Sequence, residues 1–219
     1  MVVKICGIRT VDQALAAIAA GADMLGLVFA PSKRRVDVAQ AAQIAAAVHA
    51  ASATMQVVGL FVNESADEIR QVSRLVGLDL VQLSGDELPE AAPHELRGLK
   101  TLRLNGAAGE DAWLSGLTAA AQQAAPGQLP AWTALVDAAV AGHYGGSGVT
   151  ADWQAAARLA ARLPLMLAGG LQPGNVAAAI RAVRPAGVDV SSGVERDGAK
   201  DAALMQAFVR AAREAAREA

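Results

Sequence analysis

Cys6 is the only cysteine of the chain, and it ends the apolar run Val2-Val3-Lys4-Ile5-Cys6-Gly7. A lone thiol cannot cross-link its own chain. At a strand tip it can act as a general base or a nucleophile if its pKa is lowered. The plainer reading of a free cysteine is a small buried hydrophobe, so the rest of the sequence must decide. Asp137 closes a second apolar run, Ala134-Leu135-Val136. An aspartate there is often only a helix cap or a loop charge. If it faces a thiol across a cavity mouth, partial burial raises its pKa and makes it a proton donor. Lys33-Arg34-Arg35 clusters cations beyond a third apolar run. Charge alone fits a solvated loop equally well, but arginine's planar fork also matches a carboxylate or a phosphate. Leu167-Ala168-Gly169-Gly170 and Val190-Ser191-Ser192-Gly193 end two late runs. Glycine lets backbone N–H groups approach an anion closely, and a helix N-terminus favours negative charge.

The elements that carry these residues alternate regularly. Short apolar runs at 2–6, 24–29, 56–62, 79–83, 100–104, 134–137, 165–168 and 188–191 read as strands. Helical patterns fall between them at 11–20, 38–51, 66–76, 90–96, 110–122, 151–160, 173–183 and 201–217. Nearly unbroken Val/Ile/Leu strands suit a parallel sheet buried on both faces. Thr10 with Gln13 three residues on reads as a capping box. Gly21 suits a helix C-terminus and Pro173 the first turn of a helix.

Eight strand–helix units in 219 residues predict a (β/α)8 barrel, α/β in class, spanning 1–219 as a single domain. An open doubly wound sheet would carry its glycine-rich turn after the first strand, where Gly7 stands alone. In a barrel the C-terminal strand ends bear the chemistry, and the loops after strands seven and eight are the usual phosphate site. Cys6, Asp137, the arginine cluster and the two glycine loops therefore converge on one mouth. A thiol and an opposed carboxyl group around a phosphorylated sugar point to isomerisation by proton transfer. The glycine-rich loop 138–150 reads as an active-site loop.

Net charge is −2 and aromatics are 3%, which argues against a nucleic-acid groove with stacking platforms. The three histidines, His49, His94 and His143, share no metal-ligand spacing, so no metal is expected. No apolar run is long enough for a membrane span and no export signal is evident, which points to the cytoplasm. The Ala-rich surface helices suggest a monomer.

The stretch Val3-Lys4-Ile5-Cys6-Gly7-Ile8 resembles the opening of phosphoribosylanthranilate isomerases, the TrpF-type barrels of tryptophan biosynthesis. Gly26-Leu27-Val28-Phe29-Ala30-Pro31, Val81-Gln82-Leu83, Gly145-Gly146-Ser147-Gly148 with Asp152-Trp153, Leu167-Ala168-Gly169-Gly170-Leu171 and Val188-Asp189-Val190-Ser191-Ser192-Gly193-Val194-Glu195 extend the likeness in order along nearly the whole chain. The resemblance implies a cofactor-independent Amadori rearrangement of a sugar phosphate bearing anthranilate. It implies Cys6 as base, with a lowered thiol pKa, and Asp137 as acid. It also implies an arginine on the anthranilate carboxylate, which ungapped counting places at Arg35 with Arg34 as alternative. Asp189 becomes a further substrate contact, and Gly169, Gly170, Ser191, Ser192 and Gly193 hold the phosphate. One position departs: Ser84 stands where the family usually has histidine. Two other readings are a sugar-phosphate epimerase barrel and a silent binding barrel. The missing histidine ligands speak against the first; Cys6, Asp137 and Arg35 together speak against the second.

Overall fold

The computed structural model describes residues 1–104, 106–107, 109–125, 129–137 and 153–218. Among them, eight parallel strands close into a barrel in chain order. They are β1 (Val2–Cys6), β2 (Met24–Val28), β3 (Gln56–Phe61), β4 (Leu80–Leu83), β5 (Gly98–Leu102), β6 (Trp132–Val136), β7 (Leu165–Leu167) and β8 (Gly187–Val190). Closure is direct, Lys4 of β1 pairing with Met24 of β2 on one side and Asp189 of β8 on the other. The helices α1 (Val11–Ala20), α2 (Val38–Ala51), α3 (Ala66–Val76), α4 (Glu110–Gln123), α5 (Trp153–Ala160), α6 (Val176–Val183) and α7 (Ala202–Glu218) alternate with the strands. The (β/α)8 architecture predicted from the strand count is the one observed.

Side chains alternate across each strand, so each strand faces two cores. Val3, Ile5, Leu25, Leu27, Val57 and Leu83 point outward into the main apolar core, shared with the helices. Burying each such side chain is worth roughly 1.5–3 kcal/mol. Inside the barrel, Met24, Val58, Leu80, Leu99, Leu135 and Met166 pack together as an apolar cluster. Cys6, Val28 and Ala30 form a smaller cluster nearer the C-terminal strand ends. Thr133, near the start of β6 on the same face as Leu135, is a buried polar group at the lower end, its hydroxyl donating to Pro130 O at 3.1 Å.

Local signals set several boundaries. The Thr10 hydroxyl accepts from the Gln13 N–H at 3.2 Å, and Gln13 Oε1 accepts in return from Arg9 N–H at 2.8 Å. Gly21 ends α1 in the left-handed conformation, φ 82°. The helix expected at 90–96 is replaced by a single 3-10 turn, Pro89–Ala91. Pro93 has no N–H to donate and forces its predecessor out of the helical region; Ala92 is accordingly extended at φ −78°, ψ 143°. Strand five, expected at 100–104, begins two residues earlier at Gly98. It ends at Leu102 because Glu110 Oε1 captures the N–H groups of Arg103 and Leu104 at 2.7 and 2.8 Å, and Leu104 turns left-handed. Pro173 precedes α6 rather than opening it: Asn175 Oδ1 accepts from Gln172 N–H, and its Nδ2 donates to Gly170 O. The loop 138–150, with its glycine run, lies outside the described residues.

Candidate active site

A cavity of about 440 Å3 opens at the C-terminal ends of the strands. Cys6, Arg34, Gln82, Ser84, Asp137 and Asp189 all line it, as do Gly169, Gly170, Ser191 and Ser192. Cys6 is 5% exposed and is the one free cysteine. Gly26 on the neighbouring strand leaves the thiol its space, since a Cβ there would come within 2.7 Å of Cys6 Sγ.

Two buried charge clusters frame the thiol. In the first, Lys4 Nζ donates to Asp189 Oδ1 at 2.9 Å from a wholly buried side chain. Burial alone would lower the Lys4 pKa; the charges of Asp189 and Cys6 outweigh it, and the ammonium is held above its ordinary range. In the second, Glu195 accepts a forked pair from Arg34 Nε and Nη2, at 2.6 and 2.9 Å, and a third bond from Lys200 Nζ at 2.9 Å. Burial opposes ionisation of Glu195, but the two cations win and hold its pKa down at about 2. Lys200 also donates to Ser191 O at 2.9 Å, and Ser191 Oγ donates to Cys6 O at 3.1 Å. Loop eight is thus tied to the thiol's own backbone. For Cys6 itself burial is the largest influence and pushes the thiol up; Lys4 pulls it down, Asp189 pushes it further up, and Lys200 pulls it down. The shift therefore runs opposite to the lowered pKa expected from the sequence, because desolvation of a thiolate outweighs both lysines.

Of the two arginines, Arg34 lines the cavity and is 8% exposed. Arg35, where ungapped counting placed the substrate contact, is exposed and is not part of the cavity lining. The chain pairs Arg35 with Val28 as an isolated bridge, so its neighbour is the residue turned inward under loop eight. Asp137 follows β6, donates its N–H to Leu102 O at 3.1 Å and presents a half-buried side chain to the cavity. On the β4–β5 wall, Ser84 Oγ lies 2.8 Å from Thr101 Oγ1, and Gln82 Nε2 donates to both hydroxyls at 3.0 and 3.2 Å. The serine at the departing position is therefore part of a packed polar wall.

Loops seven and eight meet. Gly169 and Gly170 both have positive φ, 90° and 64°, which L side chains adopt only with strain. Gly193 does not line the cavity; it abuts loop seven, where any Cβ would overlap the Leu171 carbonyl. Its role in the structure is to let the two loops close on each other. Sequence reasoning assigned no role to Lys4, Glu195, Lys200 or Thr101. Glu195 stood inside a recognised motif, and Lys4 was visible as a charge in an apolar strand, but nothing local marks Lys200. Among the described residues no group of three or more His, Cys, Asp or Glu could hold a metal ion, and no helix is long and apolar enough to cross a membrane.

A closed parallel barrel with a buried thiol, a carboxyl group and fixed cations at its C-terminal mouth defines a (β/α)8-barrel enzyme. The family model described as N-(5'phosphoribosyl)anthranilate (PRA) isomerase matches residues 3–211. The chain is 53% identical over 221 residues to the N-(5'-phosphoribosyl)anthranilate isomerase of Roseiflexus sp. strain RS-1, covering 98% of both chains. The crystal structure of phosphoribosyl anthranilate isomerase from Thermotoga maritima superposes with a TM-score of 0.81 at 33% identity, covering 98% of this chain and all of that one. A structure of phosphoribosyl anthranilate isomerase in complex with reduced 1-(o-carboxyphenylamino)-1-deoxyribulose 5-phosphate superposes at 0.78 with 32% identity, over 98% of this chain and 100% of that one. The chain belongs to the N-(5'-phosphoribosyl)anthranilate isomerase family.

Proposed function

We propose that this chain converts N-(5'-phosphoribosyl)anthranilate to 1-(2-carboxyphenylamino)-1-deoxyribulose 5-phosphate, the Amadori step of tryptophan biosynthesis, with Cys6 as general base and Asp137 as general acid. The observation that carries this reading is that Cys6 and Asp137 line one cavity with Arg34 and the two glycine loops. Asp137 protonates the ribose ring oxygen, the C1–O bond breaks, and the nitrogen lone pair forms the C1 iminium. The Cys6 thiolate removes the C2 proton, and the C–H electron pair moves toward the iminium to give an enolamine. Ketonisation returns a proton from Cys6 to C1 and one from the C2 hydroxyl to Asp137, so both groups are reset. The iminium cation is the electron sink, so the reaction needs no cofactor. It also favours the thiolate beside it, which offsets the upward push of burial on Cys6.

Arg34 takes the anthranilate carboxylate in place of Arg35; its guanidinium is already held rigid by Glu195. Asp189 meets the substrate from the barrel interior. Gly169, Gly170, Ser191 and Ser192 cradle the phosphate through backbone N–H groups, with Gly193 holding the two loops together. The same reading takes 1–219 as one barrel unit that works as a monomer in the cytoplasm. Among the described residues the exposed large apolar side chains, Leu15, Leu75 and Leu88, are scattered over separate elements, which supports the monomer.

The test is turnover of phosphoribosylanthranilate generated in situ, followed by loss of anthranilate-type fluorescence in the presence of a chelator. Fast, chelator-resistant decay is expected. Decay no faster than the spontaneous rate, from folded protein, would overturn the assignment.

A further inference from the structure

We propose that Lys4 is a positioning residue for the Cys6 thiolate: its buried ammonium, fixed by Asp189 one interior layer beneath the thiol, is the counter-charge that keeps the thiolate attainable. The inference rests on the reading of Cys6 as the base. Lys4 and Cys6 lie two residues apart on β1 and so point to the same, interior side of the barrel. Lys4 is completely buried, and its Cα pairs across the strands with Asp189, whose carboxylate accepts its proton at 2.9 Å. Met24, its register partner on β2, packs with Val58, Leu80, Leu135 and Met166 in an apolar cluster inside the barrel. A charge in such a low-dielectric layer acts strongly on the nearest ionisable group above it.

Stability does not account for this pair. A buried ion pair is commonly replaced by apolar side chains of similar size with no loss of stability, and the apolar cluster around Met24 shows that this barrel fills part of its interior in that way. What an apolar pair could not supply is a positive charge under the thiol. The groups facing Cys6 can be named element by element. Lys4 comes from β1, Arg34 from the loop after β2, Asp189 from β8, and Lys200, paired with Glu195, from beyond β8. Asp137, after β6, and Glu64, after β3, line the same cavity. β2 contributes only Met24, Gly26 and Val28 on this side. Lys200 and Arg34 are both engaged by the Glu195 carboxylate, which neutralises part of their field. Asp189 opposes the thiolate, so Lys4 must outweigh its own anchor.

The single cysteine gives a direct readout: the pH dependence of Cys6 alkylation by iodoacetamide, followed by mass, with no substrate present. In Lys4→Met the midpoint should rise by roughly one to three pH units, with thiolate depleted at least tenfold below it. Asp189→Asn should move the midpoint down. The double variant leaves no unpaired buried charge and guards against misfolding of the single one; its midpoint should lie above that of Asp189→Asn alone. kcat/KM of Lys4→Met should fall at neutral pH and recover with rising pH, whereas a purely structural defect gives a loss independent of pH. Unchanged midpoints in both comparisons, Lys4→Met with wild type and double with Asp189→Asn, would overturn the proposal. Turnover retained by Cys6→Ala would instead remove the base reading, whatever the thiol titration shows.

Discussion

Replacing Glu195 with glutamine removes the one negative charge that two buried cations share. The Glu195 side chain is 8% exposed and accepts three charge-assisted bonds, two from Arg34 and one from Lys200. Its pKa is depressed from 4.5 to about 2. A depressed carboxylate contributes stability that is fully present above the unfolded pKa and is lost as pH falls through the folded one. A shift of this size corresponds to roughly 3 kcal/mol at neutral pH. For a chain of this length that is a Tm lower by roughly 6–12 °C. Thermal and urea unfolding of wild type and Glu195→Gln, compared from pH 7 down to pH 2, measure it. The difference should hold at pH 7, shrink below about pH 4.5 and be nearly gone near pH 2. KM should rise as well, because Arg34 loses its anchor. A stability difference that stays constant across this range would refute the electrostatic account and leave only a packing defect.

Arg34→Ala should raise KM roughly ten- to hundredfold, the worth of a charged hydrogen bond, while Arg35→Ala stays within about threefold of wild type; steady-state kinetics on the two variants decide between them. Gly193→Ala forces a Cβ into the Leu171 carbonyl, so it should cost about 1–3 kcal/mol in urea unfolding and weaken phosphate inhibition. Lys100→Met breaks the buried pair of Lys100 Nζ with Glu87 Oε2 at 2.6 Å. An uncompensated Glu87 should lower stability by roughly 3–5 kcal/mol, read as Tm, with little change in KM.

The barrel was legible because its signal is periodic: buried parallel strands appear as apolar runs, and their number determines closure. Strand-end residues followed from the same logic, which is why Cys6 and Asp137 could be named from the sequence, while Asp189 came only with the family resemblance. Where local sequence misled, a single residue explains it. Pro93 removed a helix whose composition otherwise suited one, and the Glu110 carboxylate ended β5 two residues early by capturing two N–H groups. Neither effect shows in a hydrophobic pattern. Choosing between Arg34 and Arg35 needs the backbone turn, closed by Arg35 N–H donating to Ser32 O at 3.1 Å, that buries one and leaves the other exposed. The Arg34–Glu195–Lys200 cluster joins residues up to 166 positions apart by number, and no local motif announces such a contact. The thiol's upward pKa shift is likewise a property of burial, which becomes visible only once the barrel is closed.

If Cys6 takes the C2 proton, its loss must stop the chemistry without stopping binding. Single-turnover kinetics of folded Cys6→Ala beside wild type, with binding of the reduced product analogue measured on the same samples, separate the two. Analogue affinity close to wild type and turnover reduced to the spontaneous rate are expected. Turnover near the wild-type rate from Cys6→Ala would contradict that role and move the base elsewhere in the cavity.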